Sequence, residues 1–167
     1  IEHVKTRIKS YDSIIKKMAM DNILFTKENV EKYINDIVGV RIICSFPSDV
    51  NDLIDILRNS RMINILHEKD YINNPKKNGY RSYHLIVEVP VELINEKVMV
   101  KAEIQIRTLA MDLWASLNHK LVYKADYSSA YIDEKLRLIG DDLSSIDKEM
   151  TRLFDMQTKI RESCEEE

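Results

Sequence analysis

The segment Lys101-Ala-Glu-Ile-Gln-Ile-Arg107 alternates without a break between polar and apolar side chains. A β-strand directs successive side chains to opposite faces of a sheet, so this alternation predicts a strand with one face in a core. The opposite face carries two cations, a carboxylate and an amide, namely Lys101, Glu103, Gln105 and Arg107. We interpret this polar face as a site rather than as plain solvent exposure.

The segments around this strand predict further strands. Tyr83–Val89 also alternates, and a short turn joins it to Val98–Arg107, which predicts an antiparallel hairpin. Asp36–Phe46 is rich in β-branched residues and is predicted as a central strand. A helix over Pro47–Asn59 and a strand over Met62–His67 complete a crossover unit. Together these segments predict a mixed sheet of about four to five strands flanked by helices, in the α+β or α/β class.

Three further helices are predicted in the body of the chain. The first is Ile1–Met20, whose isoleucines provide an apolar side. The second is a short helix that Thr26 caps and that ends by Asn35. The third is Thr108–Val122, which Thr108 caps. The residues predicted as the core of this third helix are Leu109, Leu113, Trp114 and Leu117.

The C-terminal part of the chain has a coiled-coil-like pattern. From Ile132 to Ile160, apolar residues recur at spacings of four and three, interrupted only at Gln157. A helix of about 35 residues is about 50 Å long, which is more than a body of this size can cover. The helix either packs lengthwise on the domain or meets other copies of itself, and we favour self-association. We therefore divide the chain into a domain over residues 1–131 and an oligomerisation helix over residues 132–167.

Composition limits the class of protein. The chain has 167 residues, 44% of them hydrophobic, and a net charge of −3. The acidic surplus belongs to the C-terminal part, which from residue 132 onward has eleven acids and six bases. Cys44 and Cys164 do not form the pattern of a disulfide framework, which favours a reducing, cytoplasmic location. No apolar run approaches the roughly 20 residues that span a bilayer, and no signal-peptide pattern is present, so a membrane partner is not expected.

A basic loop precedes the predicted hairpin. The segment Lys69–His84 combines the breakers Asn74-Pro75 and Asn78-Gly79 with four cations and several tyrosines. Cations interleaved with aromatic rings suit a ligand that carries phosphates and a base. From composition alone, a solvated basic loop remains the alternative.

The loop and the strand Lys101–Arg107, followed by a helix with Trp114 and His119, resemble the synthetase domain of the RelA/SpoT homologue family. Within that family of GTP pyrophosphokinases, the chain is similar to the small alarmone synthetases, from Glu2 to about Lys124. The resemblance implies a nucleotidyltransferase-like synthetase fold. It also implies an enzyme that transfers pyrophosphate from ATP to the 3'-hydroxyl of GDP or GTP, which makes the stringent-response alarmones ppGpp and pppGpp. The family resemblance further implies a homotetramer.

The resemblance assigns a donor site near the N-terminus. It implies that Arg7 and Arg41 enclose the adenine of ATP, although Arg41, inside an apolar strand, can equally pair with a core carboxylate. The residues implied to bind the donor phosphates are Lys9, Ser13 and Lys17. Met20 stands where relatives often have a further basic residue.

The resemblance also assigns the catalytic and metal-binding carboxylates. It implies that Asp36 and Glu103 bind Mg²⁺, which prefers carboxylate oxygens and retains several waters. It also implies that Glu103 is the base that takes the proton of the ribose hydroxyl as it attacks.

An acceptor site follows from the same comparison. Tyr80 is implied to stack on the guanine, with Gln105 and Asp112 near the nucleoside. The residues implied to contact the acceptor phosphates are Lys69, Lys76 and His84. Asn118 replaces the acid that commonly precedes the helix histidine, His119.

Two other classes of function fit the sequence less well. A nucleotide-sensing module without catalysis needs no pair of metal carboxylates, which Asp36 and Glu103 provide. An RNA-binding protein is disfavoured because the chain is net acidic and has one short basic patch, so nucleic acid is not expected as the main partner. No histidine is followed by aspartate, so the His-Asp pair of the hydrolase domain in bifunctional relatives is absent from the sequence.

Overall fold

The computed structural model describes residues 1–122 and 130–165, and within these ranges five strands form one mixed sheet. In chain order the strands are β1 (His3–Ile8), β2 (Val38–Cys44), β3 (Asn64–Asp70), β4 (Tyr83–Glu92) and β5 (Lys97–Thr108). Their order in the sheet is β1-β2-β5-β4-β3. β2 and β5 are parallel, and the other neighbouring pairs are antiparallel. The predicted hairpin of β4 and β5 is confirmed, and the central position belongs to β5, whereas β2 lies one place from the edge.

Helices follow the strands in the described ranges. They are α1 (Tyr11–Met20), α2 (Lys27–Tyr33), α3 (Pro47–Arg58), α4 (Leu109–Val122) and α5 (Ala130–Glu165). Hydroxyl side chains cap three of them, because Ser10, Thr26 and Thr108 each accept a hydrogen bond from a backbone N–H of the first turn. The predicted caps at Thr26 and Thr108, and the crossover helix α3, are confirmed.

The prediction of one helix over Ile1–Met20 is wrong. The first part is the edge strand β1, which pairs antiparallel with β2, and only Tyr11–Met20 is helical. Pairing with β2 satisfies the backbone groups on one side of β1, and Ser10 then provides the polar N-cap of α1. Lys9 consequently lies before α1, so Lys9, Ser13 and Lys17 do not form a stripe along one helix.

The main core lies between one face of the sheet and α3. Val50 and Ile54 of α3 pack among the alternating apolar residues of the strands. The buried strand residues of this cluster are Ile42, Cys44, Tyr83, Leu85, Val87, Ala102, Ile104 and Ile106. The apolar face predicted for β5 is therefore confirmed. The opposite face of the sheet remains available for polar side chains.

The core predicted for α4 is only partly correct. Trp114 is 4% exposed and its Nε1 donates to the Leu136 carbonyl of α5 over 2.8 Å, as expected of a packing anchor. Leu109, Leu113 and Leu117, however, are 50%, 50% and 46% exposed. The helix instead buries the stripe that contains Met111 and Trp114, because α5 covers that side.

The long helix α5 combines two kinds of surface. Leu136 is buried beneath α4, and Phe46 stacks on Phe154 with ring centroids 4.7 Å apart. Most of the predicted apolar seam faces outward, with exposed fractions between 48% and 56% at Ile139, Ile146, Met150, Leu153 and Ile160. α5 begins at Ala130, close to the predicted start at residue 132. The division of the chain into a domain and an oligomerisation helix stays a prediction.

None of the helices in the described ranges is long and apolar enough to cross a membrane. Cys44 is buried in β2 and Cys164 is exposed on α5, and both are free thiols.

A buried carboxyl group fastens α5 to the junction of β5 and α4. The Thr108 hydroxyl donates a hydrogen bond to Asp147 Oδ2 while it caps α4. Asp147 is 8% exposed, and burial raises the pKa of its carboxyl above the ordinary value, although the Thr108 hydrogen bond opposes this effect.

We expect Asp147→Asn to raise the melting temperature at pH 7. The pKa of the Asp147 carboxyl is higher in the folded protein than in the unfolded chain, so ionisation of this group destabilises the fold. The favourable contribution of the protonated carboxyl is therefore complete below the unfolded pKa of about 3.9 and is lost as the pH rises through the native pKa. Asparagine keeps an acceptor oxygen for Thr108 without the buried charge. The gain should therefore shrink towards pH 4. Thermal denaturation at several pH values measures it, with the exposed Asp142→Asn as the control. A lower melting temperature at pH 7 contradicts this account.

Candidate active site

The polar face of the sheet is assembled by the strand register. Arg7 of β1 lies beside Gly39 of β2, which lies beside Glu103 of β5. In the next polar row, Arg41 lies beside Gln105. A Cβ on Gly39 would lie 3.2 Å from Arg7 Cγ, so the Arg7 side chain passes closely over this glycine. Four residues of the predicted site, Arg7, Arg41, Glu103 and Gln105, are thereby brought together.

A first cavity of about 260 Å³ lies over these rows. We call it the β1–β5 cavity. Its lining residues are Lys5, Thr6, Arg7, Gly39, Val40, Arg41, Glu103 and Gln105. Two guanidinium groups and one carboxylate therefore line the same small space, which suits a ligand with an aromatic ring and negative charge.

Asp36 lies just before β2 and holds two lysines. Lys9 Nζ is 2.6 Å from Asp36 Oδ2, and Lys17 Nζ is 2.8 Å from Asp36 Oδ1. Burial alone raises the pKa of Asp36, but the hydrogen bonds from Lys17 and Lys9 outweigh it and lower the pKa below its ordinary value. Ser13 shares a hydrogen bond of 2.8 Å with Ser10 in the first turn of α1. The predicted phosphate-binding lysines are thus gathered around one carboxylate.

Glu103 is paired with His84 of the neighbouring strand β4. His84 Nδ1 lies 2.8 Å from Glu103 Oε1, and His84 Nε2 lies 2.8 Å from the Tyr80 hydroxyl. The bond to His84 lowers the pKa of Glu103, while burial and the charge of Asp36 act in the opposite direction. Glu103 is therefore held as a carboxylate, and His84 connects it to the hydroxyl of Tyr80.

Arg107 links the parts of the site, whereas the sequence pattern placed it on the polar face without an individual role. Arg107 is only 3% exposed. Its guanidinium donates hydrogen bonds to Tyr80 Oη over 2.7 Å, to Gln105 Oε1 over 2.8 Å and to Asp112 Oδ1 over 3.0 Å. The same Asp112 oxygen lies 3.2 Å from Arg41 Nη1, so Arg41 does pair with a carboxylate. The sequence feature that could have indicated a role for Arg107 is its position as the last polar residue on the alternating face of β5.

A second cavity of about 700 Å³ adjoins the first and is called here the β5–α4 cavity. Its lining residues are Arg7, Arg41, Tyr80, Gln105, Arg107, Ala115, Ser116, Asn118, His119 and Lys120. Arg7, Arg41 and Gln105 line both cavities. Ser116 and Lys120 were not predicted as site residues, because their contribution depends on which side of α4 faces the sheet.

Two remaining predicted contacts, Lys76 and Lys69, lie in the loop before β4 and near the end of β3. Lys76 Nζ lies 4.8 Å from the centroid of the Tyr71 ring and 5.0 Å from that of Tyr80. Lys69 lies exposed on β3, in register with His84. Neither lysine lines the two cavities. The contacts predicted between these residues and acceptor phosphates stay predictions.

The residues fit a metal site that protein and substrate complete together better than a site made of protein ligands alone. No group of three or more His, Cys, Asp and Glu side chains that could hold a metal occurs in the described part of the chain. Asp36 and Glu103 are close enough for the charge of one to shift the pKa of the other. Mg²⁺ usually takes one or two carboxylates and completes its shell with water and substrate phosphates. Two carboxylates beside a pair of lysines match that requirement.

Comparison with known proteins gives one consistent result. The family model described as "Region found in RelA / SpoT proteins" matches residues 6–128. GTP pyrophosphokinase YwaC of Bacillus subtilis is 52% identical over 124 residues, which cover 74% of this chain and 59% of that protein. GTP pyrophosphokinase YjbM of the same organism is 37% identical over 158 residues, which cover 92% of this chain and 72% of that protein.

The structural comparison agrees with the sequence comparison. The crystal structure of small alarmone synthetase 1 from Bacillus subtilis, bound to its product pppGpp, superposes with a TM-score of 0.86 at 34% identity. The match covers 93% of this chain and 79% of that one. The predicted synthetase fold with a long C-terminal helix is confirmed. The chain therefore belongs to the family of RelA and SpoT proteins, among which it is similar to the small alarmone synthetases.

Proposed function

We propose that this chain transfers the pyrophosphoryl group of ATP to the 3'-hydroxyl of GDP or GTP, which yields ppGpp or pppGpp and AMP. The observation that carries the proposal is the pair of adjoining cavities that share Arg7, Arg41 and Gln105, with Glu103 lining one of them. Such a pair can hold two nucleotides next to one carboxylate. The names of YwaC and YjbM, and the product bound in small alarmone synthetase 1, support this activity.

In this proposal ATP occupies the β1–β5 cavity. Arg7 and Arg41 enclose the adenine, since guanidinium planes stack well on aromatic rings. Lys9, Ser13 and Lys17 bind the donor phosphates, and the two lysines exchange part of their contact with Asp36 for phosphate oxygens. The cluster they now form keeps both ammonium groups on Asp36, whose charge acts on Glu103 in the lining of the cavity.

The acceptor occupies the β5–α4 cavity. Tyr80 stacks on the guanine, and Lys69, Lys76 and His84 contact the acceptor phosphates. Gln105 and Asp112 lie near the nucleoside. Both arginine contacts of Asp112 are made by Oδ1, so Oδ2 is the oxygen that can accept from the guanine edge.

The chemical step requires one proton acceptor and stabilisation of charge. The 3'-oxygen attacks the β-phosphorus of ATP, the bond from that phosphorus to the oxygen bridging the α-phosphate breaks, and AMP leaves with the electron pair. Glu103 takes the proton of the 3'-hydroxyl, and the His84 bond keeps its carboxylate ionised and oriented. Mg²⁺ bound by Asp36 and Glu103 would neutralise donor phosphate charge.

We expect Glu103→Gln to lower kcat for ppGpp formation by about 100-fold or more while the fold is kept, because the amide cannot take the proton. Asp36→Asn should also remove most activity. The measurement is incubation with ATP, GDP and saturating Mg²⁺, followed by nucleotide separation.

Glu88→Gln is the matched control, since Glu88 lies on the same face of the sheet in register with Lys101 and lines neither of the two cavities. It should behave like the wild type. Turnover by Glu103→Gln within tenfold of the wild type contradicts the mechanism. A wild-type chain that binds both nucleotides and forms no product is a sensing module instead.

We expect Arg7→Ala and Tyr80→Ala to affect different substrates. Loss of a stacked base costs about 1 to 3 kcal/mol, so Arg7→Ala should raise the KM for ATP roughly tenfold, and Tyr80→Ala should do the same for GDP. Steady-state titration of each substrate at saturation with the other separates the two effects. If both variants weaken both substrates equally, the assignment of the two cavities is wrong.

We also propose that the chain self-associates, with a homotetramer favoured, through the outward seam of α5. Five apolar residues of that seam are about half exposed, and an uncovered apolar stripe of this length favours association. Only part of α5 is engaged by the domain, so the seam is available to a second copy. A cytoplasmic location stays a prediction.

We expect the double variant Ile146→Glu and Leu153→Glu to weaken association at least tenfold, because two charges then enter an apolar interface. Removal of α5 is a poorer test, since Leu136 also covers Trp114. Light scattering at micromolar concentration measures the mass. Lys159→Glu, on the same helix and exposed, is the control. A monomeric wild type at this concentration removes the proposal.

A further inference from the structure

The backbone of the loop before Tyr80 lies directly against the backbone of α5. A Cβ on Gly140 of α5 would lie 2.8 Å from the Gly79 carbonyl oxygen. A Cβ on Gly79 would lie 2.9 Å from Arg137 Cα, and Gly79 also has a φ of +89°, which favours glycine. Both positions therefore need glycine, and the loop and the helix touch without intervening side chains.

An ion pair fixes the residue on the other side of Tyr80. Arg81 Nη2 donates to Asp141 Oδ1 over 3.0 Å, and Arg81 Nη1 donates to the Ile72 carbonyl over 2.8 Å. Asp141 Oδ2 accepts from Arg137 Nη1 over 2.9 Å. The Arg81 side chain is 17% exposed, so this pair is partly shielded from water. The residues before and after Tyr80 are thus both attached to one turn of α5.

The Tyr80 ring is also packed against the anchor of this helix. Its centroid lies 6.1 Å from that of Trp114, whose indole nitrogen donates to the Leu136 carbonyl. Leu136 precedes Gly140 by about one turn. The position of the ring in the β5–α4 cavity consequently depends on where α5 lies.

We propose that Gly140 and Asp141 are positioning residues for acceptor binding, acting through Tyr80. The proposal rests on the proposed function, because it takes Tyr80 as the residue that stacks on the guanine. A displacement of Gly79 or Arg81 moves the Tyr80 ring relative to Arg107 and Gln105. α5 is then part of the acceptor site without touching the nucleotide. Neither cavity has a lining residue from α5, but Tyr80 lines only the β5–α4 cavity, so this contact should act mainly on acceptor binding.

Gly140→Ala tests the backbone contact, with Ser145→Ala on the exposed side of α5 as the matched control. We expect the KM for GDP to rise at least fivefold, with the KM for ATP changed less than twofold. The melting temperature should change little, because alanine favours a helix more than glycine does. Equal effects on both substrates, or an unchanged KM for GDP, overturn the proposal.

Asp141→Asn tests the ion pair and remains informative if Gly140→Ala fails to fold. It should raise the KM for GDP severalfold, whereas Asp142→Asn, the neighbouring exposed carboxylate, should leave it unchanged. Asp141→Glu should restore part of the loss. If Asp141→Asn and Asp142→Asn have the same KM for GDP, the ion pair has only a structural role.

Calorimetric titration with GDP alone separates this proposal from the proposed function. If the wild type forms no ppGpp but binds GDP, and Gly140→Ala binds it at least fivefold more weakly, the positioning role stands and the proposed function fails. If the wild type forms ppGpp and Gly140→Ala binds GDP as the wild type does, the positioning role fails and the function stands.

Discussion

The buried guanidinium of Arg107 is the constraint on which the site depends. A charge that is almost fully removed from water destabilises a protein unless hydrogen bonds and an opposite charge surround it. Here Asp112 provides the charge, and Gln105 and Tyr80 provide further acceptors. Satisfying this one group therefore fixes a helix residue, a strand residue and a loop residue relative to each other. Asp112 in turn holds Arg41, which lines both cavities, so the constraint extends to the β1–β5 cavity.

The architecture leaves one face of the sheet free for this polar network. α3 covers the other face with an apolar core, and the parallel pairing of β2 with β5 places Gly39 beside Glu103. A residue without a side chain next to the carboxylate makes room for Arg7 to cross. The edge strand β1 supplies Arg7. The site therefore depends on a strand in a segment for which the periodicity of the sequence predicted a helix.

The elements that could be predicted from the sequence are those whose signals lie within the segment itself. The alternation in β4 and β5, the hydroxyl caps at Thr26 and Thr108, and the long apolar repeat of α5 are local signals, and the structure confirms the elements that they predict. The family resemblance also assigned Arg7, Arg41, Glu103 and Gln105 to the site, and the structure brings these four residues together.

The misses have tertiary causes. The segment Ile1–Met20 is compatible with a helix by itself, and only the free edge of β2 makes its first part a strand. Which leucines of α4 are buried depends on the side that α5 covers. The partners of Arg107 come from three separate elements, so spacing along the chain does not reveal them. The contact of Gly79 with Gly140 joins residues far apart in sequence for the same reason.

The two-residue period of β5 limits which changes of sequence this strand can accept during evolution. Within Ala102–Arg107, every core residue has a site residue as its neighbour, and the register with β2 and β4 is fixed on both sides. Insertion or deletion of a single residue within that segment would turn Glu103 or Gln105 towards α3 and an isoleucine towards the two cavities. Changes of length should therefore collect in the turn between β4 and β5 and in the connections to the helices. The strand itself should vary only by substitution.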